Sequence, residues 1–185
     1  MRRVVPVIRE AAAEDLLLLP ALEAASDTLL AGMPGVGVSG AGPGGRDSGV
    51  DPLPLPPPAS AAELGSALHL LVAGTPPVGF ARLEEVDGQA HLEQLSVHPD
   101  AAGGGVGRAL VEAALAWART QGYTSMTLCT FAGVPFNAPF YRSCGFTEVL
   151  SPRGELGELR EHEKQLGLDA LGERVAMRVE LSPSN

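Results

Sequence analysis

Three strand-like runs, the first almost continuously apolar and the next two mixing apolar and polar positions, lie between positions 68 and 97 and frame the rest of the chain. Leu68-His69-Leu70-Leu71-Val72-Ala73 predicts one strand, and residues 78–86 predict a second after the turn signal Gly74-Thr75-Pro76-Pro77. Asp87-Gly88 is a two-residue hairpin signal leading into a third strand at 89–97. The period then changes from two to 3.6. Val106, Leu110, Ala113, Ala114 and Trp117 fall on one helical face that runs to about residue 121, with Gly122 placed as its C-terminal cap. Residues 125–130 predict a strand parallel to 89–97, joined to it by a right-handed crossover. A short helix at 137–144 ends at Gly145, and a strand at 146–150 follows. A charged helix at 156–168, with a break possible at Gly157, precedes a cleanly alternating last strand at 174–181. Upstream, residues 4–8 predict a first strand. Glu14-Asp15 opens a helical pattern, and Pro20 starts a second helical piece with Leu22, Leu29 and Leu30 as its apolar contacts. Ser60 and Glu63 form a capping box for a short helix ending near Ala67. This order predicts an α/β chain of α+β type: a mixed, mostly antiparallel sheet of six to seven strands flanked by helices.

Between 32 and 58 the periodicity is lost. Gly35, Gly37, Gly40, Gly42, Gly44, Gly45 and Gly49 are followed by Pro52, Pro54, Pro56, Pro57 and Pro58. This is a long loop, either a surface insertion or a wall over a binding site. It is not a linker, so residues 1–185 are expected to form a single domain. The chain's 185 residues, 45% hydrophobic, can bury a substantial core. A net charge of −9 argues against sequence-independent nucleic-acid binding, which needs clustered cations. The two cysteines, Cys129 and Cys144, are too few for a disulfide scaffold and fit reduced thiols in a cytoplasmic protein. The N-terminal apolar run is broken by Pro6, and no run approaches membrane-spanning length, so neither a secretory signal nor a membrane association is expected.

The chemistry concentrates at 92–108, where a strand ends at Val97-His98-Pro99, four glycines follow (103, 104, 105 and 107), and a helix begins. Strand, glycine loop and helix start together present bare backbone N–H groups to phosphate oxygens. The dinucleotide spacing Gly-x-Gly-x-x-Gly fails, because its third glycine position is Arg108 or Leu110. There is no Gly-Lys-Ser/Thr and no Gly-x-Ser-x-Gly. His69, His91, His98 and His162 share no metal-ligand spacing with each other or with the cysteines, so no metal is expected.

Two segments taken together do fit one family. Leu95-Ser96-Val97-His98-Pro99 with Gly103-x-Gly105-Val106-Gly107-Arg108, and Asn137-Ala138-Pro139-Phe140-Tyr141 running to Gly145-Phe146, resemble the GNAT superfamily of acyl-coenzyme A-dependent N-acyltransferases. The resemblance covers about residues 79–150. It departs from the family at Ala102, where the loop pattern has Arg or Gln. It implies the GNAT fold, with two strands splayed at the acyl-CoA site. It also implies acetyl-CoA as co-substrate and a small-molecule or peptide amine as acceptor. Transfer would be by direct attack in a ternary complex.

By the same resemblance, Leu95, Ser96 and Val97 meet the pantetheine arm and thioester. Ala102, Gly103, Gly104, Gly105, Val106, Gly107 and Arg108 hold the pyrophosphate, and Asn137 bonds the arm near its thiol. Arg108 is expected to replace the missing loop cation, while Ala102 still offers its N–H. Tyr141 is the candidate general acid: a phenol near ~10 can hand a proton to a leaving thiolate near ~8.5. For the base, Glu93 shares strand parity with Leu95 and Val97, which predicts one common face. Glu84 and Glu85 are the alternatives. Trp117 reads as core, His98 as a cap near the loop, and the run 155–164 as a solvated helix, a dimer contact or an acceptor wall. A homodimer through edge strands is open. The competing classes are an acyl-CoA sensor without catalysis and a protein or peptide N-acetyltransferase.

Overall fold

The computed structural model describes residues 4–31, 33, 36 and 55–182. Most of the Gly/Pro-rich stretch at 32–58, and with it the expected wall, lies outside the described residues. The elements in order are β1 (Ile8–Glu10), α1 (Leu19–Asp27), α2 (Ala61–Gly65), β2 (His69–Ala73), β3 (Gly79–Val86) and β4 (Gln89–Val97). They continue with α3 (Val106–Thr120), β5 (Ser125–Phe131), α4 (Ala138–Ser143), β6 (Thr147–Val149), α5 (Gly154–Gln165), α6 (Leu168–Leu171) and β7 (Arg174–Glu180). The strands form one seven-stranded sheet in the order β1-β2-β3-β4-β5-β7-β6. Every neighbouring pair is antiparallel except β4 and β5, which are parallel as the crossover predicts.

Local chemistry explains most of these boundaries. The first strand begins at Ile8 rather than at 4, beyond Pro6, which has no N–H to give to a ladder. Asp87 and Gly88 both have positive φ, 53° and 67°, as a two-residue hairpin requires. Ser60 accepts from the Glu63 N–H while the Glu63 carboxylate accepts from the Ser60 N–H, so the capping box is complete, a feature that contributes about 1 kcal/mol. α5 is not broken at Gly157. Its start is capped from elsewhere: Asp87 at the β3–β4 turn accepts from the N–H groups of Glu155 (2.8 Å) and Leu156 (3.0 Å), and Glu155 accepts from the Asp87 N–H. α1 is fixed by Arg9, whose guanidinium forks onto Asp15 at 2.6 and 2.9 Å just before the helix.

The main core lies between α3 and one sheet face. Leu110, Val111 and Ala114 meet Ala81, Leu83, Ala90, Leu92 and Met126 there. α3 sits so close that a Cβ on Gly79 would lie 3.1 Å from Val106 and 3.2 Å from Leu110. A second core joins Leu19, Leu22 and Leu64 of α1 and α2 to Leu70, Val72 and Phe80. Trp117 is only half-buried and stacks on His69, with ring centres 4.6 Å apart.

One irregularity governs the site. Arg82 pairs with Gln94 but Leu83 pairs with Leu92, so Glu93 is an extra residue, a β-bulge. The bulge flips the parity of β4. Ala90 and Leu92 pack on the α3 core, and so do Leu95 and Val97, three residues and five residues beyond Leu92. Glu93 meets His91 instead, on the opposite face. The expectation that Glu93 shares a face with Leu95 and Val97 is therefore corrected. At the same place β4 leaves β5, and their pairing ends at Leu92↔Leu128.

Candidate active site

Beyond Leu92, among the described residues, the β4 edge has no strand beside it. Its pairing with β3 decides which backbone groups face the gap. Gln94 and Ser96 lie opposite Arg82 and Phe80, and the His98 N–H donates to the Val78 carbonyl at 2.9 Å. The intervening Leu95 and Val97 therefore turn their N–H and C=O outward. The Val97 N–H meets the Ser26 hydroxyl of α1 at 3.3 Å. Ser96 is fully buried, and its hydroxyl accepts from the Gln94 amide at 2.9 Å, so it supports the strand from behind.

The loop after β4 begins with a tight turn. His98 accepts from the Asp100 N–H at 3.2 Å, the capping role its position predicted. The N–H groups of Ala102 and Gly104 are consumed inside the loop, by Pro99 O at 3.1 Å and Ala101 O at 3.3 Å. The expectation that Ala102 gives its N–H to a ligand is thus corrected. Among the described residues, the N–H groups of Gly103, Gly105, Val106, Gly107 and Arg108 have no backbone acceptor, the last three because they begin α3. Gly105 sits at φ 86°, a left-handed position that brings these donors round to one side. The Arg108 side chain turns to α4, donating to the Ser143 hydroxyl at 2.7 Å and carbonyl at 3.3 Å.

α4 supplies the other side. The Asn137 carboxamide oxygen accepts from the Thr130 hydroxyl at 2.9 Å, which leaves its NH₂ pointing away from that partner. One turn on, the Tyr141 ring packs edge-on against Phe140 and Phe146, at 5.2 and 5.8 Å. Burial pushes the Tyr141 phenol well above its ordinary value, and the nearby Arg174 only partly opposes this. The phenol is protonated throughout the neutral range. Burial also pushes the Cys129 thiol up to about 12 and raises Cys144, so neither is poised as a thiolate nucleophile.

The remaining wall is acidic and apolar. His91, 1% exposed, places Nδ1 2.8 Å from the Thr127 hydroxyl and Nε2 3.4 Å from Glu93. With the proton on Nε2, it donates to Glu93 and accepts from Thr127. This contact holds the Glu93 carboxyl below its usual range. The alternatives are tied elsewhere: Glu84 pairs with Arg82 at 2.7 Å, and Glu85 accepts from the Tyr123 hydroxyl at 2.7 Å. Sequence reasoning missed Glu23, Ser26 and Asp27, which line the cavity from α1 at i, i+3 and i+4 spacing. Burial, with repulsion from Asp27 and Glu63, pushes Glu23 up to about 7 against the opposing Ala59 N–H and Arg82; burial also raises Asp27. From α5, Leu159, His162 and Glu163 complete the wall, and Glu163 bridges Arg160 and Arg174. The run 155–164 thus contributes a wall of the cavity rather than a fully solvated face.

The β4 edge, the loop with the start of α3, α4, α1 and α5 surround one cavity of about 980 Å³. Of the residues singled out in the sequence, it brings together Glu93, Leu95, Val97, Ala102, Gly103, Gly105, Gly107, Arg108, Asn137 and Tyr141. Ser96, Gly104 and Val106 are not among its lining residues. A group carrying a pyrophosphate and an amide-bearing arm fits this chemistry: unengaged N–H donors lie at a helix start, beside an exposed strand edge. Among the described residues, no cluster of three His, Cys, Asp or Glu could hold a metal, and no helix is long and apolar enough to cross a membrane.

Residues 52–146 match the acetyltransferase (GNAT) family. Solved structures share the fold at low identity. The ribosomal-protein-S18-alanine N-acetyltransferase from Escherichia coli is 19% identical, with 97% of this chain and 96% of that one covered and a TM-score of 0.58. A Mycobacterium tuberculosis protein solved with CoA is 21% identical over 96% of this chain and 100% of its own, at 0.62. The PaiA N-acetyltransferase from Thermoplasma acidophilum, solved with coenzyme A, is 16% identical over 96% and 99%, at 0.61.

Proposed function

The chain belongs to the acetyltransferase (GNAT) family, and from that premise we propose that it moves the acetyl group of acetyl-CoA to a primary amine by direct attack in a ternary complex. The observation that carries this reading is the row of unengaged N–H groups from Gly105 to Arg108 beside the open edge at Leu95 and Val97, in one cavity with Tyr141. The loop and the start of α3 hold the pyrophosphate through the backbone, and Gly103 adds its N–H. Asn137 orients the arm with its NH₂, and Leu95 and Val97 pair with the arm and the thioester carbonyl. Acetyl-CoA supplies an acyl carbon activated by a good leaving group. A fixed N–H aimed at the carbonyl oxygen stabilises the charge that develops there. For Val97 this means exchanging Ser26 for the ligand.

Tyr141 donates to the departing sulfur. Its raised pKa makes complete transfer to a thiolate near ~8.5 uphill, so its main effect is a hydrogen bond that grows as charge reaches sulfur. Glu93, held ionised by His91, attracts the ammonium form of the acceptor. The acceptor is an amine with an apolar body, because Leu29, Leu30, Met33, Leu55, Phe136 and Leu166 line the same cavity. Free thiols fit a cytoplasmic setting. Calorimetry with acetyl-CoA, followed by thiol release with a panel of amines, tests the reading. Binding with turnover is expected. Binding without turnover of any amine would make the chain a sensor, and absence of binding would sink the proposal.

A further inference from the structure

Among the described residues five carboxylates line the cavity, and the molecule treats two of them, Glu23 and Glu93, differently. Glu93 is on β4, joined to a buried histidine. Glu23 is on α1, half-buried, and accepts only one hydrogen bond among the described residues, from the Ala59 N–H at 3.2 Å. Ser26 shows how close that helix face comes to the chemistry: its hydroxyl touches the Val97 N–H, on the strand edge assigned above to the acyl group. Side chains at i and i+3 have Cβ atoms about 5–6 Å apart. Glu23 therefore stands one helical turn from a group in contact with that edge. The charged groups around it are Asp27 on its own helix, Glu63 on α2 and Arg82 on β3, and Glu93 on β4 lines the same cavity. Arg82 is engaged by Glu84 at 2.7 Å, which leaves Glu23 without an ion-pair partner among the described residues.

We propose that Glu23 takes the proton an acceptor amine must lose before attack, while Glu93 anchors that amine's positive charge. The inference rests on the acetyltransferase reading of the cavity. The two environments divide the work. A carboxyl pushed up to about 7 can accept a proton at neutral pH and return it to water, whereas one held low stays an anion. The ammonium first gives one proton to the Glu23 carboxylate. The free nitrogen pair then forms the N–C bond to the acetyl carbon. The C–S bond breaks with its electron pair on sulfur, which Tyr141 stabilises by its hydrogen bond. The second N–H proton passes through water to the thiolate, giving the free thiol. The products are the amide, the free thiol and the proton released from Glu23.

The experiment compares wild type, Glu23→Gln, Glu93→Gln and Asp27→Asn. Thiol release is screened with putrescine, phenethylamine, glycine and a short peptide with a free N-terminus. Then kcat/KM for the best amine is followed from pH 5.5 to 9 at saturating acetyl-CoA. In wild type it rises through a limb near 7. Glu23→Gln is expected to lower it by about 100-fold, within the usual range for a lost proton acceptor, and to abolish the limb while acetyl-CoA still binds. Gln retains an oxygen for the Ala59 N–H, so the fold is expected to hold, checked by thermal melting. Asp27→Asn is expected to retain the limb. A readout free of turnover is carbon-13 NMR of labelled glutamate carboxyls: one should titrate near 7 in wild type and vanish in Glu23→Gln. Turnover with the limb intact in Glu23→Gln, its loss in Glu93→Gln alone, or no carboxyl titrating above 6 would overturn this assignment only. Failure to bind acetyl-CoA, or to turn over any amine, would remove the acetyltransferase reading and this inference with it.

Discussion

The two ends of the cavity are built from different materials. The end proposed for the cofactor is made of backbone: the N–H groups of Gly103 and of Gly105 to Arg108, and the outward edge of Leu95 and Val97. The end proposed for the acceptor is made of side chains from four separate elements: Glu23 and Ser26 on α1, Arg82 on β3, Glu93 on β4, and Leu159, His162 and Glu163 on α5. A backbone site depends on where the chain turns and is insensitive to most side-chain changes. A side-chain site is rewritten by single substitutions.

That contrast can be broken or sharpened by mutation. The largest effect is expected where a side chain acts on the reacting atoms. Tyr141→Phe should lower kcat by about 100-fold and leave the acetyl-CoA Kd unchanged, measured by steady-state kinetics and calorimetry. Next is a backbone position of the loop held at a left-handed φ. Gly105→Val carries roughly 1–2 kcal/mol of conformational strain and should weaken acetyl-CoA binding by about tenfold or more, with the amine KM little changed. Glu93→Gln removes a charge-assisted contact of about 1.5–3 kcal/mol and should raise the amine KM by about tenfold. Because His91 keeps Glu93 ionised below the ordinary carboxylate pKa, that KM difference should persist as pH falls to 5. The smallest effect is Ala102→Arg. With the Ala102 N–H already spent on Pro99, an added guanidinium contributes as an exposed ion pair, about 0.2–1 kcal/mol, and acetyl-CoA should bind no more than about fivefold tighter. A large gain there would mean that side chains, not backbone, dominate the cofactor end.

A stability measurement probes the acceptor end without any ligand. The folded-state pKa of Glu23 lies above the ordinary glutamate value of about 4.5, so the folded chain binds more protons than the unfolded one between about 4.5 and 7. Stability attributable to this group therefore falls as pH rises through that window. Glu23→Gln should melt higher than wild type at pH 8, with the advantage shrinking at pH 5.

The same division decides what was legible in the sequence. Turns and backbone sites leave compositional marks: Asp87-Gly88, the Ser60–Glu63 box, the glycines after Pro99 and the Asn137–Tyr141 spacing all read directly onto the fold. The face of α1 bearing Glu23, Ser26 and Asp27 left no such mark, because two acids and a serine at helical spacing also describe a solvated face. Only tertiary packing, with α1 lying over β4, makes them a wall. The β4 bulge falls between these cases. A strict period of two across 89–97 misses it: the apolar residues that pack on α3 are Ala90, Leu92, Leu95 and Val97, and the step of three between Leu92 and Leu95 is the bulge written in the sequence. The loss of Ala102 as a donor had no sequence signal, since it depends on the tightness of the turn after Pro99.

The Asp87 cap on α5 has a consequence for how acceptor choice can change. One end of the β3–β4 hairpin presents the edge proposed to meet the acyl group, and its tip, through Asp87, fixes where α5 begins. Under the proposed reading, both halves of the reaction are measured from one ruler. Substitutions farther along α5, at Leu159 or His162, can recut the acceptor's outline while the distance from that helix to the thioester stays set by the hairpin, so new acceptors can be tried without recalibrating the chemistry.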